Sequence, residues 1–156
     1  MEKQPLLEVK NLHIIYKTPR ATAYALNGAS FTVNQGETFG LVGETGAGKT
    51  TTALSILGLL PRGIGKVTEG EILFKGQSLL DLPEKKLENI RGKEIAMVFQ
   101  NPLTSLNPVF TVGEQIAMVY RRHQNMNKKQ ALEAAGRMLE TVGIPKTRIH
   151  DYPHQF

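Results

Sequence analysis

The run Gly43-Glu44-Thr45-Gly46-Ala47-Gly48-Lys49-Thr50 has the spacing G-x-x-x-x-G-K-[ST], which builds a cradle for nucleotide phosphates. Gly43, Gly46 and Gly48 let the backbone take positive φ angles. They also bring main-chain N–H groups onto phosphate oxygens with no Cβ in the way. Lys49 supplies a cation for the β and γ phosphates, and Thr50 offers a hydroxyl to a Mg2+ ion bridging them. Thr51 adds a hydrogen bond to the α phosphate. The competing reading is a glycine-rich turn that binds nothing, and the flanking pattern decides between the two.

A phosphate cradle needs a strand leading in and a helix leading out. Thr38–Val42 reads as a short buried strand, and the segment after Lys49 reads as a helix. Ala53, Ile56, Leu57 and Leu60 fall on one face of that helix, and Pro61 ends it. Its N-terminus then turns free N–H groups and the positive end of the helix dipole toward the phosphates.

The segments before the cradle read as an antiparallel arm. Leu7 and Val9 alternate with charged residues, the phase slips at Asn11, and Leu12, Ile14 and Tyr16 alternate again, the pattern of a bulged strand. Ala25 to Val33 makes a second strand, and Asn34-Gln35-Gly36-Glu37 is a turn. Beyond the first helix, Gly63-Ile64-Gly65 is a flexible connection, Glu69 to Lys75 a strand, and Pro83 opens a short helix through Arg91. The strand Glu94–Phe99 then runs into Gln100, followed by the pairs Asn101-Pro102 and Asn107-Pro108, which exclude regular helix or central strand. Thr111 with Glu114, and Asn127 with Gln130, are spaced as capping boxes. The helices they open have Val112, Ile116 and Val119 on one face, and Ala131, Leu132, Ala135, Met138, Leu139 and Val142 on the other's. Gly143 and Pro145 stop the second.

Composition sets the outer bounds. The 156 residues fit one domain or a piece of one. With no cysteine there is neither a disulfide framework nor a thiolate metal site. Apolar runs are too short to cross a bilayer and the polar start Met1-Glu2-Lys3-Gln4-Pro5 is no signal peptide, which fits a cytoplasmic setting. The 19 basic residues behind the charge of +5 are dispersed, so nothing argues for nucleic acid as a partner. Arg121, Arg122, His123, Lys128 and Lys129 read as a solvated helix face. His13, His123, His150 and His154 have no metal-ligand spacing.

An aromatic on the arm, the phosphate loop, a strand ending in glutamine and then a helical insert resemble the ATP-binding-cassette (ABC) ATPases that drive membrane transporters. The resemblance runs the whole length of the chain. Leu41 to Thr51, Met97 to Pro108 and the ending Tyr152-Pro153-His154-Gln155-Phe156 look like the dipeptide, oligopeptide and nickel importer subfamily. The resemblance implies an α/β fold: a P-loop NTPase core with an antiparallel β arm over 1–111, up to the glutamine loop, and a partial helical subdomain over 112–156. It implies ATP and Mg2+ as cofactors. Tyr16 would stack on adenine, and Gln100 would reach Mg2+ and the attacking water, with Lys49 as the other catalytic group. Its partners would be transmembrane permease subunits, a second ABC ATPase subunit and, indirectly, a substrate-binding protein, on the inner face of the cell membrane.

In that family Ser-Gly-Gly follows a segment like Tyr152–Phe156, then the acidic strand, catalytic glutamate and histidine switch. The expectation is therefore an N-terminal portion that binds ATP far better than it hydrolyses it, with an unprotected sheet edge and apolar surface. The alternative is a naturally short nucleotide-binding module without turnover. A DNA-repair or chromosome-structure ATPase would need long heptads after the glutamine, and a GTPase an Asn-Lys-x-Asp motif. The chain has neither.

Overall fold

The phase slip at Asn11 organises the first sheet. Strand β1 (Pro5–Lys17) turns Val9 inward, shifts register between Val9 and Leu12, and then turns Leu12 and Ile14 into the same interior, where both are fully buried. Strict alternation without the extra residue would carry positions 11 and 13 inside instead. Asn11 adopts φ 44°, and its N–H donates to the Ser30 hydroxyl at 2.8 Å. Gly70 lies across from the bulge with φ 93°, and a Cβ there would run into the carbonyl oxygens of Lys10 and Asn11.

These features belong to a computed structural model that describes residues 5–101 and 105–156. Residues 1–4 and 102–104 lie outside that description, and with them the polar start and the Pro102-Leu103-Thr104 part of the stretch after Gln100. The described residues fall into two compact units, Met1–Arg91 and Gly92–Phe156.

In the first unit β1 is flanked by β2 (Thr22–Asn34) and β3 (Gly65–Phe74), and β4 (Gln77–Ser78) completes an antiparallel sheet of order β2-β1-β3-β4. Val9, Leu12, Ile14, Ile72 and Phe74 form its buried side, each contributing about 1.5–3 kcal/mol on leaving water. Strand β3 starts at Gly65 rather than Glu69, because Tyr16 to Ile14 continue the ladder opposite Gly65 to Val67.

Helix α1 (Lys49–Ile56) is shorter than its apolar pattern suggests. Gly58 turns left-handed at φ 62° and ends it ahead of Pro61. The buried positions within it are Thr52 and Ser55, and of the expected stripe Ala53, Ile56, Leu57 and Leu60 only Leu57, at the C-cap, is buried. Both hydroxyls go to the backbone, Thr52 to Gly48 O at 2.9 Å and Ser55 to Thr52 O at 2.7 Å. That satisfies two polar groups that burial would otherwise penalise. Helix α2 (Glu84–Ile90) begins after Pro83, as expected.

The strands expected at Thr38–Val42 and Glu94–Phe99 are not formed. A strand exists only through its ladder, and among the described residues no strand pairs with either segment, Ile95 making no more than an isolated bridge. Val42 is 93% exposed and Val98 94%. Phe39 instead stacks on Phe31 of β2 with centroids 5.0 Å apart. Gly92 N–H donates to the Ile95 carbonyl at 2.8 Å, bending the start of the second segment into a turn.

In the second unit, α3 (Val112–Gln124) and α4 (Lys128–Thr141) both open with the capping boxes read from the sequence. Their buried faces are made of smaller residues than expected. Val112, Gly113 and Ala117 pack inward from α3, and Ala131, Ala134, Ala135, Gly136 and Leu139 from α4. Val119, Met138 and Val142 stay exposed. Close approach decides this, since a Cβ on Gly113 would strike Ile149 and one on Gly136 the Lys146 side chain, both in the 3-10 turn Lys146–His150. No helix among the described residues is long and apolar enough to cross a membrane.

Candidate nucleotide-binding site

Gly46 and Gly48 take φ 88° and 83°, as a phosphate curl requires, whereas Gly43 does not take the positive φ expected of it. The Ala47 N–H donates to the Glu44 carbonyl at 3.1 Å and closes the curl. Gly48 is buried, whereas Gly43, Glu44, Thr45, Gly46 and Ala47 are exposed. A Cβ on Gly48 would lie 2.5 Å from the carbonyl oxygen of Ala25 in β2. Only glycine fits there, because the backbone of the second strand presses directly on the loop.

Helix α1 starts on that loop with no side-chain cap. Thr52 N–H reaches Gly48 O at 2.8 Å, which makes it the first intrahelical donor. The N–H groups of Lys49, Thr50 and Thr51 precede it and have no acceptor within the helix. Together with the helix dipole they form an anion site. The Lys49 ammonium donates to the carbonyls of Gly43 and Glu44 at 2.6 and 2.7 Å. That places a positive charge over the curl and leaves a third ammonium hydrogen for a phosphate oxygen.

The loop, Thr50 and Thr51 are brought together as the spacing requires, with Thr50 exposed and Thr51 half-buried. Tyr16 joins them from β1, its phenol hydroxyl 3.2 Å from the Thr51 hydroxyl. Gln100 is an exposed bend residue of the second unit. Among the described residues no group of three or more His, Asp or Glu side chains could hold a metal. A Mg2+ ion here would be held by nucleotide oxygens with Thr50 as a hydroxyl ligand, which the exposed Thr50 suits.

The sequence reading missed two supports. One is Ala25, whose carbonyl backs Gly48. The other is Arg91, which donates to the Leu57 carbonyl at 2.6 Å and the Gly58 carbonyl at 3.1 Å at the far end of α1. Arg91 also pairs with Glu84 at 2.6 Å. That bond, helped by the charges of Arg91 and Arg62 and opposed by the slight loss of hydration, holds the Glu84 carboxyl below its ordinary range. No local signal in the chain marks either residue.

Residues 26–156 match the family model described as ABC transporter. This chain belongs to the ABC transporter family. Gly43 to Thr51 lie within the matched range, and Tyr16 lies ahead of it. The chain is 48% identical to the dipeptide transport ATP-binding protein DppD of Bacillus subtilis, over 100% of this chain and 47% of that protein. It is 46% identical to the oligopeptide transport ATP-binding protein OppD of the same organism, over 97% of this chain and 43% of that one. It therefore spans about half the length of the curated relatives it matches. A solved structure of the ATP-binding cassette MJ0796, a dimer in a post-hydrolysis state bound to ADP and Pi, matches with a TM-score of 0.76. At 24% identity, over 96% of this chain and 62% of that one, it shows the fold. The ABC chain is an α/β P-loop cassette with an antiparallel arm and a helical part.

Proposed function

We propose that this ABC chain is the N-terminal part of the ATP-binding subunit of a peptide importer, which couples ATP binding and hydrolysis to uptake. The observation that carries this is the uncapped start of α1, with Lys49 held over the Gly43–Thr51 curl. The names of the relatives support peptide as the substrate class. In this reading the curl would hold ATP with Mg2+: Lys49 would neutralise the β and γ phosphates, Thr50 would offer its hydroxyl to the metal, Thr51 would donate to the α phosphate and Tyr16 would stack on adenine. Residues 1–111, up to the glutamine loop, would carry the nucleotide, and Gln100 would serve Mg2+ and the attacking water. Residues 112–156 form part of the helical subdomain.

The subunit would work on the inner face of the cell membrane with two permease subunits and a second ABC ATPase subunit, receiving peptide through a substrate-binding protein. The groups named here hold and neutralise phosphate, whereas hydrolysis also needs a positioned water and a stabilised transition state. The 156 residues by themselves would thus bind ATP far better than they hydrolyse it.

Calorimetry of the chain with ATP and Mg2+ tests the reading. Wild type should bind, and Lys49→Ala should lose most of the affinity. Unchanged binding by the variant removes the central claim. In source cells, Lys49→Ala in the gene should abolish uptake of a labelled dipeptide. Loss of a different solute's uptake with peptide uptake intact would replace the substrate class.

A further inference from the structure

The hydroxyls of consecutive threonines in α1 are used differently. Thr52 donates back to the Gly48 carbonyl four residues earlier, the usual fate of a helical threonine. Thr51 turns away from the helix backbone and shares a hydrogen bond of 3.2 Å with Tyr16, which lies 35 residues away in the sequence. Of the two hydroxyls the phenol is the more acidic and so the better donor. With Tyr16 donating, the Thr51 oxygen is an acceptor and its own hydrogen is free for a further acceptor, on the helix end where the orphan amides lie.

The half-buried Tyr16 ring lies beside Gly65. A Cβ built on Gly65, its ladder partner, would sit 3.1 Å from a ring-edge carbon of Tyr16 and 3.2 Å from Pro61 Cδ. Strand pairing sets Tyr16 opposite Gly65, where only a glycine leaves space for the ring, and from there its hydroxyl meets that of Thr51.

We infer that Tyr16 is a positioning residue for the phosphate half of the site: its hydroxyl orients Thr51 so that the chain Tyr16 O–H to Thr51 O–H to phosphate oxygen runs in one direction. This rests on the nucleotide reading above and adds to it a role for the phenol that base stacking does not use. Hydrogen bonds in series polarise one another, so Thr51 becomes a stronger donor to an anionic oxygen than a lone hydroxyl. A phenylalanine keeps the ring and the stacking face and removes only the relay.

The test measures ADP and adenosine binding to wild type, Tyr16→Phe, Thr51→Val and the double variant of the whole chain, by calorimetry for ADP and NMR titration for the weak nucleoside. Tyr16→Phe and Thr51→Val should each weaken ADP about tenfold, the scale of one hydrogen bond to a charged group. Both should leave adenosine affinity unchanged, the double variant should lose no more than either single one, and Thr51→Ser should keep ADP affinity. Unaltered ADP affinity in Tyr16→Phe overturns the inference. So does an equal loss for adenosine, which would place the effect on the base or on folding, and so do additive losses in the double variant. A wild type that binds no ADP sinks the nucleotide reading itself.

Discussion

The start of α1 and the starts of α3 and α4 face the same physical problem and resolve it in opposite ways. At α3 the Thr111 side chain accepts from Glu114 N–H at 3.2 Å, and Glu114 returns a bond to Thr111 N–H. At α4 Asn127 and Gln130 do the same at 3.0 and 3.2 Å. At α1 the capping position is Gly48, which has no side chain to offer, and the first turn has no acidic residue. Helix ends with internal partners are finished structures, whereas one built on glycine keeps its donors for an outside anion. Stability and function thus ask for opposite residues at the same position.

The sharpest way to break this contrast is to give α1 a side chain at its cap. Gly48→Ala forces a Cβ against Ala25 O and into left-handed backbone. Displacing the amides loses two or more hydrogen bonds to charged oxygens, so ATP affinity should fall about 100-fold or more, and calorimetry showing near-normal binding would refute the account of the cradle. Next in size, ATP with Mg2+ should slow amide hydrogen exchange at Lys49, Thr50 and Thr51 and leave Glu114 and Gln130 at their own rates. Equal protection at all three helix starts would erase the distinction. Thr111→Ala and Asn127→Ala should each cost about 1 kcal/mol in urea unfolding while ATP affinity stays within error.

The smallest effect concerns pH. Because Glu84 is held below its ordinary value of 4.5 in the folded chain, its stabilising contribution is present above that value. It is lost as pH falls through the lowered one. Glu84→Gln should therefore flatten acid unfolding of the first unit, and an unchanged acid limb would show that the exposed pair with Arg91 contributes nothing.

What the sequence made legible was local. Both capping boxes, the Asn11 bulge and the phosphate curl follow from residues a few positions apart, and each forms where it reads. Thr38–Val42 and Glu94–Phe99 have strand composition, but a ladder needs a neighbour that composition does not specify. The stripe in α1 is buried only at Leu57, because Gly58 ended the helix and two satisfied hydroxyls took the rest of the inner face. In α3 and α4 apolar content alone cannot tell that glycine and alanine will face a close neighbour while Met138 and Val119 stay outside. Within the site, Tyr16 with Thr51 and Arg91 with Leu57 join residues 35 and 34 positions apart, beyond any local pattern.

The Arg91 clasp also orders events in time on the ribosome. Helix α1 leaves the tunnel with β1 and β2 already outside, but the guanidinium that holds its last carbonyls is 34 residues behind Leu57. At about 5–20 residues per second that is a delay of about 2–7 s. During that interval the phosphate curl can have its Ala25 backing while the other end of its helix is still open, so nascent chains stalled before and after residue 91 should differ in how firmly they retain nucleotide.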